Sequence, residues 1–213
     1  FAKAGWMNKY KVLQINALET YFWLKKVHYA KRIPSISWAF GLYQQSDLVG
    51  VCTYGMPASP WLCRGVCGKM WESNVLELNR LCLKNNKKNE ASLLIGRSLK
   101  LLPKPTIIVS YADEGHHHTG YVYQACNFIY TGKTLKRTDV DTGQKHSRHY
   151  KGLDMTKRKI RTAKHRYVYF VANKSDKKKL FFELRYPQKT YPKTKNKNYN
   201  TSFNFATQAI LDL

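Results

Sequence analysis

The chain is 213 residues long, and with 43% hydrophobic and 14% aromatic residues it can bury a sizeable core, which excludes wholesale disorder. Lys and Arg number 37 against 13 Asp and Glu, a formal net charge of +24, so the surface calls for a polyanionic partner. No apolar run approaches the roughly 20 residues of a membrane-spanning helix, Phe1 opens no signal-peptide pattern, and five cysteines without framework spacing suit a reducing compartment; the expectation is a soluble, cytoplasmic protein with no membrane partner.

Along the chain, Asn16 followed three residues later by Glu19 has the form of a capping box, so residues 17–30 are expected to be a helix stopped before Pro34. Ala17, Tyr21, Leu24 and His28 would share one face of it. Residues 37–44 and 48–55 read as a hairpin about Gln45, Ser46 and Asp47, and residues 56–71, with Pro57 and Pro60, as a loop. Residues 75–83 (VLELNRLCL) alternate as a strand does, a polar loop follows at 84–89, and residues 91–102 have the spacing of a helix ended by Pro103. Residues 106–112 form a β-rich run suited to a central parallel strand, followed by a short helix at 119–126 and a strand at 128–132. Residues 133–166 look polar and irregular, 166–172 can add a strand, and 187–213 look extended and poorly anchored.

The order strand, helix, strand from Val75 onward forces parallel pairing with a right-handed crossover. Ligands in such sheets gather beyond the carboxyl ends of the strands, which places the 84–89 loop and Asp113, Glu114 and Gly115 at one rim.

The charge is unevenly spread. Residues 1–132 carry 16 basic and 7 acidic side chains, whereas residues 133–197 carry 21 and 5, so two thirds of the excess sits in a third of the chain. Lys133, Arg137, Arg158, Lys159, Arg161, Lys164 and Arg166 belong to this stretch and are the expected phosphate contacts on nucleic acid. Tyr167, Tyr169, Phe170, Phe181, Phe182, Tyr186 and Tyr191 interleave with the basic stretch, as core residues or as stacking surfaces for bases. The plainer alternative is a solvated, lysine-rich surface.

Three constellations carry chemistry. Lys87, Lys88, Asn89, Glu90, Ala91 and Ser92 lead into a helix N-terminus, whose free N–H groups suit an anion unless Asn89 or Ser92 simply caps the helix. Asp113 at a strand tip, ahead of His116, His117 and His118, is placed for general-base or metal work; its alternative is a cap on the helix near Thr119, with the histidines solvated. His28, beside Tyr29, is a core histidine unless the fold carries it to the rim. Cys63 and Cys67 lack the second pair that zinc needs, and no Gly-x-Ser-x-Gly elbow, Walker loop or Cys-x-x-Cys pair is present.

The succession of elements resembles the GNAT acyltransferase fold, a mixed α/β sheet flanked by helices. Its pyrophosphate motif would fall on Lys87 to Ser92, although Glu90 and Ser92 stand where the motif has glycines. The blocks HYAKRIPS (28–35), LVGVCTYGMPAS (48–59), LELNRLCL (76–83), NEASLLIGRSLKLL (89–102), SYADEGHHHTGYVYQACNFIYTG (110–132), KHRYVYF (164–170) and LRYPQKTYPK (184–193) resemble those of the Mom family of phage DNA-modification proteins. That resemblance implies an acetyl-CoA-linked enzyme that converts the N6 amino group of adenine in double-stranded phage DNA to a methylcarbamoyl group, protecting the DNA from restriction. It also implies a catalytic core over residues 1–132, a basic C-terminal segment over 133–213 that completes the sheet and contacts DNA, and an Fe2+ requirement. By motif, His28, Tyr29, Asp113 and Tyr123 are the implied catalytic residues and His28, Tyr29 and Asp113 the implied iron ligands. Arg80 and Ser98 join Lys87 to Ser92 on the cofactor side. The oligomeric state stays open between monomer and homodimer. The competing functions are an ordinary acyltransferase acting on protein or tRNA amines and a non-catalytic DNA-binding module.

Overall fold

A computed structural model describes residues 9–142, 151–152 and 154–193. Seven strands form one mixed sheet in the order β1 (Tyr10–Gln14), β2 (Trp38–Gln44), β3 (Asp47–Gly55), β4 (Val75–Leu83), β5 (Thr106–Asp113), β9 (Lys164–Val171) and β6 (Ile129–Lys133). Only β4 and β5 pair in parallel, as the crossover through helix α2 (Glu90–Leu101) requires. Alternate side chains of the sheet feed two cores. Ile108 and Ala112 of β5 join Leu93, Leu94, Ile95 and Leu99 of α2 on one face. Ile107 and Val109 join Val168 and Phe170 on the other, beneath Cys63, Val66 and Cys67 of α1 (Pro60–Cys67) and Leu180 of α4 (Lys174–Glu183), while the short α3 (Tyr121–Ala125) leads into β6.

The hairpin, the 75–83 strand, the α2 helix and the β5 strand stand where the residue pattern puts them. The first helix does not. The capping box forms, with Leu18 N–H donating to Asn16 and Asn16 N–H to Glu19, but it opens only a 3-10 turn over Ala17–Thr20. A π turn follows over Trp23–Val27, closed by His28 N–H donating to Trp23 O at 2.8 Å. This wide turn buries Trp23 and Leu24 and releases His28 into extended backbone, off the helical face expected for it.

The expected loop at 56–71 contains α1, because Pro60 occupies its first turn, where proline's missing N–H does no harm and its fixed φ suits the helix. Within the expected irregular region 133–166, β7 (Arg137–Val140) pairs with β8 (Arg158–Arg161); Arg137 and Arg161 flank Asp139, and Lys159 meets Asp141, so opposite charges hold the ribbon. Helix α4 went unpredicted because its lysine run shows no apolar period, although Asn173 caps it through Asp176 N–H. Residues 189–192 are anchored rather than loose: Lys189 N–H donates to Tyr130 O, and Tyr191 Oη to Phe128 O. Residues 194–213 of the expected C-terminal tail lie outside the described residues. Strand β9, from the basic part of the chain, runs antiparallel to both β5 and β6 and separates them. No helix among the described residues is long and apolar enough to cross a membrane.

Candidate active site

The site begins where two strands part. β4 and β5 pair from Val75 and Ile107 to Leu78 and Ser110 and no further, while β3 follows β4 to Leu83 and β9 follows β5 to Asp113. Ser110 Oγ donates to Leu78 O at the vertex. Beyond it the facing edges of β4 and β5 have no strand between them among the described residues. At this point β4 carries a bulge, because Thr53 pairs with Arg80 and Tyr54 with Leu78, leaving Asn79 extra. The bulge shifts the alternation. Leu76, Leu78, Leu81 and Leu83 all pack toward the α2 core, so Arg80 is brought to the face that carries Glu77.

A small cavity of about 110 Å³ fills the splay, lined by His28, Tyr29, Leu81, Ala112, His118 and Tyr123 among others. It adjoins a much larger cleft of about 1640 Å³. Glu77, Asn79, Arg80, Tyr111 and Lys164 line both spaces and form the passage between them.

The inner cavity holds a stack of rings. Tyr29 lies against His28 at 4.4 Å between centroids and against His116 at 4.2 Å, with His118 edge-on at 6.4 Å. The expected solvated histidines are thus only partly so: the tight turn over Glu114–His116 brings His116 and His118 inward and leaves His117 exposed. Burial, reinforced by Arg80 and the neighbouring histidines, lowers the pKa of His28 to about 3, and burial lowers that of His118 to about 4. Both are neutral imidazoles at physiological pH. His28 Nδ1 accepts Ala30 N–H at 3.1 Å, which assigns the remaining proton to Nε2 and makes the ring a hydrogen-bond donor rather than a base. Burial also pushes the Tyr29 and Tyr123 hydroxyls up to about 12, keeping both protonated.

Asp113 and Glu77 differ sharply. Burial opposes ionisation of Asp113, but Lys164 at 2.7 Å, the Thr162 hydroxyl and Gly115 N–H outweigh it and hold the carboxyl below its ordinary value. Its side chain caps the turn at 114–116, not a helix at Thr119, and it lines neither space; a carboxylate so stabilised is a poor base. Glu77 was not singled out from the sequence. Burial raises its pKa against the pull of Arg80, Lys164, Arg161 and Arg32, and it stands in the passage. The only signal for it in the sequence is a carboxylate set between two leucines, Leu76 and Leu78, in an alternating strand. Arg80 donates Nη1 to Asn79 O at 2.6 Å while its buried Nε has no acceptor, an orphaned donor that a ligand oxygen would satisfy.

The other expected cofactor residues lie elsewhere. Glu90 is 1% exposed, accepts Tyr10 Oη at 2.9 Å and Lys87 N–H at 2.8 Å, and so locks the 87–90 turn from within. Asn89 adopts a left-handed backbone without capping through its side chain, and Ser92 Oγ donates back to Asn89 O. Ser98 is fully buried between Tyr54 and Ile95. Lys87, Lys88 and Ala91 line neither space.

Seven basic side chains line the large cleft against one carboxylate, Glu77. Arg137, Arg161 and Lys164 of the expected phosphate contacts are among them. Lys133 pairs with Glu114, Lys159 with Asp141, and Arg158 donates to Thr138 O, all outside the cleft. Arg166 is bound to Thr131 and lies 3.4 Å over the Tyr186 ring, so its role is to hold the wall.

The donor set does not fit bound iron. Asp113 is engaged by three partners and the outward ring nitrogen of His28 is a donor; among the described residues no three His, Cys, Asp or Glu side chains gather to hold a metal ion. Of the expected ligand set, His28 and Tyr29 lie ring against ring, and Asp113 is held by Lys164 and Thr162.

Comparison with known proteins adds the following. The model of the Mom protein family matches residues 9–193. The methylcarbamoylase Mom of Escherichia phage Mu is 33% identical over 111 residues, 49% of this chain and 46% of that protein, so the match spans less than half of the relative's length. Among solved structures, a probable acetyltransferase from Staphylococcus epidermidis overlaps with a TM-score of 0.47 at 12% identity, over 76% of this chain and 98% of that one. An acetyltransferase from Bacillus subtilis in complex with CoA overlaps at 0.44 and 14%, over 76% and 97%.

Proposed function

The chain belongs to the Mom protein family, and we propose that it is a DNA-modifying transferase acting on the N6 amino group of adenine in double-stranded DNA, installing a methylcarbamoyl group that shields the DNA from restriction. The observation that carries this reading is the passage at Glu77 and Arg80, which joins a small, largely uncharged cavity to a large cationic cleft. The cleft suits a phosphate backbone. It repels a protonated amine, which removes physical support from protein lysines as acceptors.

The N6 lone pair of adenine is delocalised into the ring, so bond formation there needs an extruded base and removal of an N–H proton. Glu77 is the acceptor for that proton, because burial has already raised its basicity where the two spaces meet. Tyr123 and the Nε2–H of His28 face the reaction as neutral donors able to stabilise a developing oxyanion. The unpaired strand edges beyond Leu78 and Ser110, with the vacant donor of Arg80, fit the amide-bearing arm of an acyl-CoA; when bound, that group would supply carbon of the methylcarbamoyl group, whose nitrogen has to come from a separate amine or amide donor. No step is assigned to iron.

Digestion of DNA from cells expressing the protein, followed by nucleoside mass spectrometry, tests the proposal. A fraction of deoxyadenosine heavier by the methylcarbamoyl group is expected, and an unmodified deoxyadenosine pool overturns it.

A further inference from the structure

The large cleft carries an exposure that the fold does not explain. Leu135 is 88% exposed, Trp61 79% and Met56 65%, yet all three line a space walled by cations. Large apolar side chains left in water beside charges mark a contact surface. Leu135 sits on the β6–β7 loop between Thr134 and Lys136. That loop is pinned: Thr134 N–H donates to Lys164 O at 2.9 Å and Lys164 N–H to Thr134 Oγ1 at 3.0 Å. Trp61 stands on the first turn of α1, whose inner face is fixed by Cys63, Val66 and Cys67. The two reach the cleft from β6 and β3, with β4, β5 and β9 between them.

We propose that Leu135 is a wedge that enters the base stack of duplex DNA and that Trp61 receives the extruded base on its ring, so that this cleft opens the duplex as well as holding it. The inference rests on the DNA reading above and names how its substrate is presented. Lys136 and Arg137 follow Leu135 directly and would hold the flanking phosphates while the leucine occupies the gap. An aromatic platform accepts any base, which leaves selection of adenine to the passage at Glu77.

The test measures binding of the full chain to two fluorescent duplexes, one fully paired and one with an abasic site opposite a central adenine, so that the second is already open. Wild type is expected to bind the opened duplex about ten-fold more tightly. Leu135→Ala should weaken binding to the paired duplex about ten-fold and to the opened one less than two-fold, while Leu135→Met retains both. Trp61→Ala should weaken both about ten-fold, since stacking is lost in either case. Both side chains are exposed, and unchanged thermal midpoints of the variants verify that the fold is intact. Equal effects of Leu135→Ala on the two duplexes, or none on either, overturn the wedge while leaving DNA binding in place. A wild-type chain that binds neither duplex overturns the DNA reading itself.

Discussion

The inner cavity and the outer cleft share five residues and little else. The inner one holds neutral histidines and protonated tyrosines in about 110 Å³; the outer one has about 1640 Å³ and seven cations. Charge in the cleft acts over many ångströms on any polyanion, whereas the uncharged donors inside act only on atoms brought against them. On the proposed function the contrast separates capture from chemistry, and substitutions on each side should separate them too.

The largest effect is expected from Glu77→Gln, which keeps the shape of the passage and removes the proton acceptor. Modified adenine should fall about 10²- to 10⁴-fold, with DNA affinity unchanged within two-fold, read by nucleoside mass spectrometry beside fluorescence anisotropy. Next is Gly55→Ala at the end of β3, beside the cleft residues Ser35 and Met56, where an added Cβ would run into the backbone carbonyl of Ser35; backbone must move, at a stability loss of about 2–3 kcal/mol in chemical denaturation. Both regions should fail together in that variant.

Removing two cleft cations through Lys136→Ala and Arg161→Ala should weaken DNA binding about ten-fold and flatten the plot of log affinity against log salt by roughly two units. The pH dependence is smaller. The pKa of His28 is about 3 in the fold against an ordinary 6.5, so the unfolded chain binds more protons between these values. Stability should therefore be complete above pH 6.5 and decline as pH falls below it, by up to roughly 1.4 kcal/mol per unit, with His118 adding in the same direction. His28→Asn should flatten the slope in denaturation measured from pH 7 to 5. Least of all, Lys178→Ala on α4 should change DNA affinity less than two-fold, because that lysine, though part of the basic run, lies outside the cleft.

Much of the frame was legible in the residues. The hairpin follows from apolar runs around a short polar turn, and the parallel β4–β5 pair follows from its helical crossover. His28, Tyr29 and Tyr123 do line the inner cavity. Glu77 was not legible, because its burial depends on the bulge at Asn79 and on β9 bringing Lys164 and the basic ribbon across the sheet. Nor does chain order reveal that β9 inserts between β5 and β6. Nor was the setting of Asp113 legible, because its partners, Lys164 and Thr162, arrive from 49 to 51 residues away in the chain. Prolines concealed α1, and lysines concealed α4.

The separation of capture from chemistry is tested most directly by single-turnover modification rates measured against DNA concentration, for Glu77→Gln and for the Lys136→Ala, Arg161→Ala pair in parallel. The predicted result is a lowered plateau at unchanged half-saturation for the first, and an unchanged plateau at raised half-saturation for the second. A plateau that stays depressed in the cationic double variant, or a half-saturation that shifts in Glu77→Gln, would contradict it.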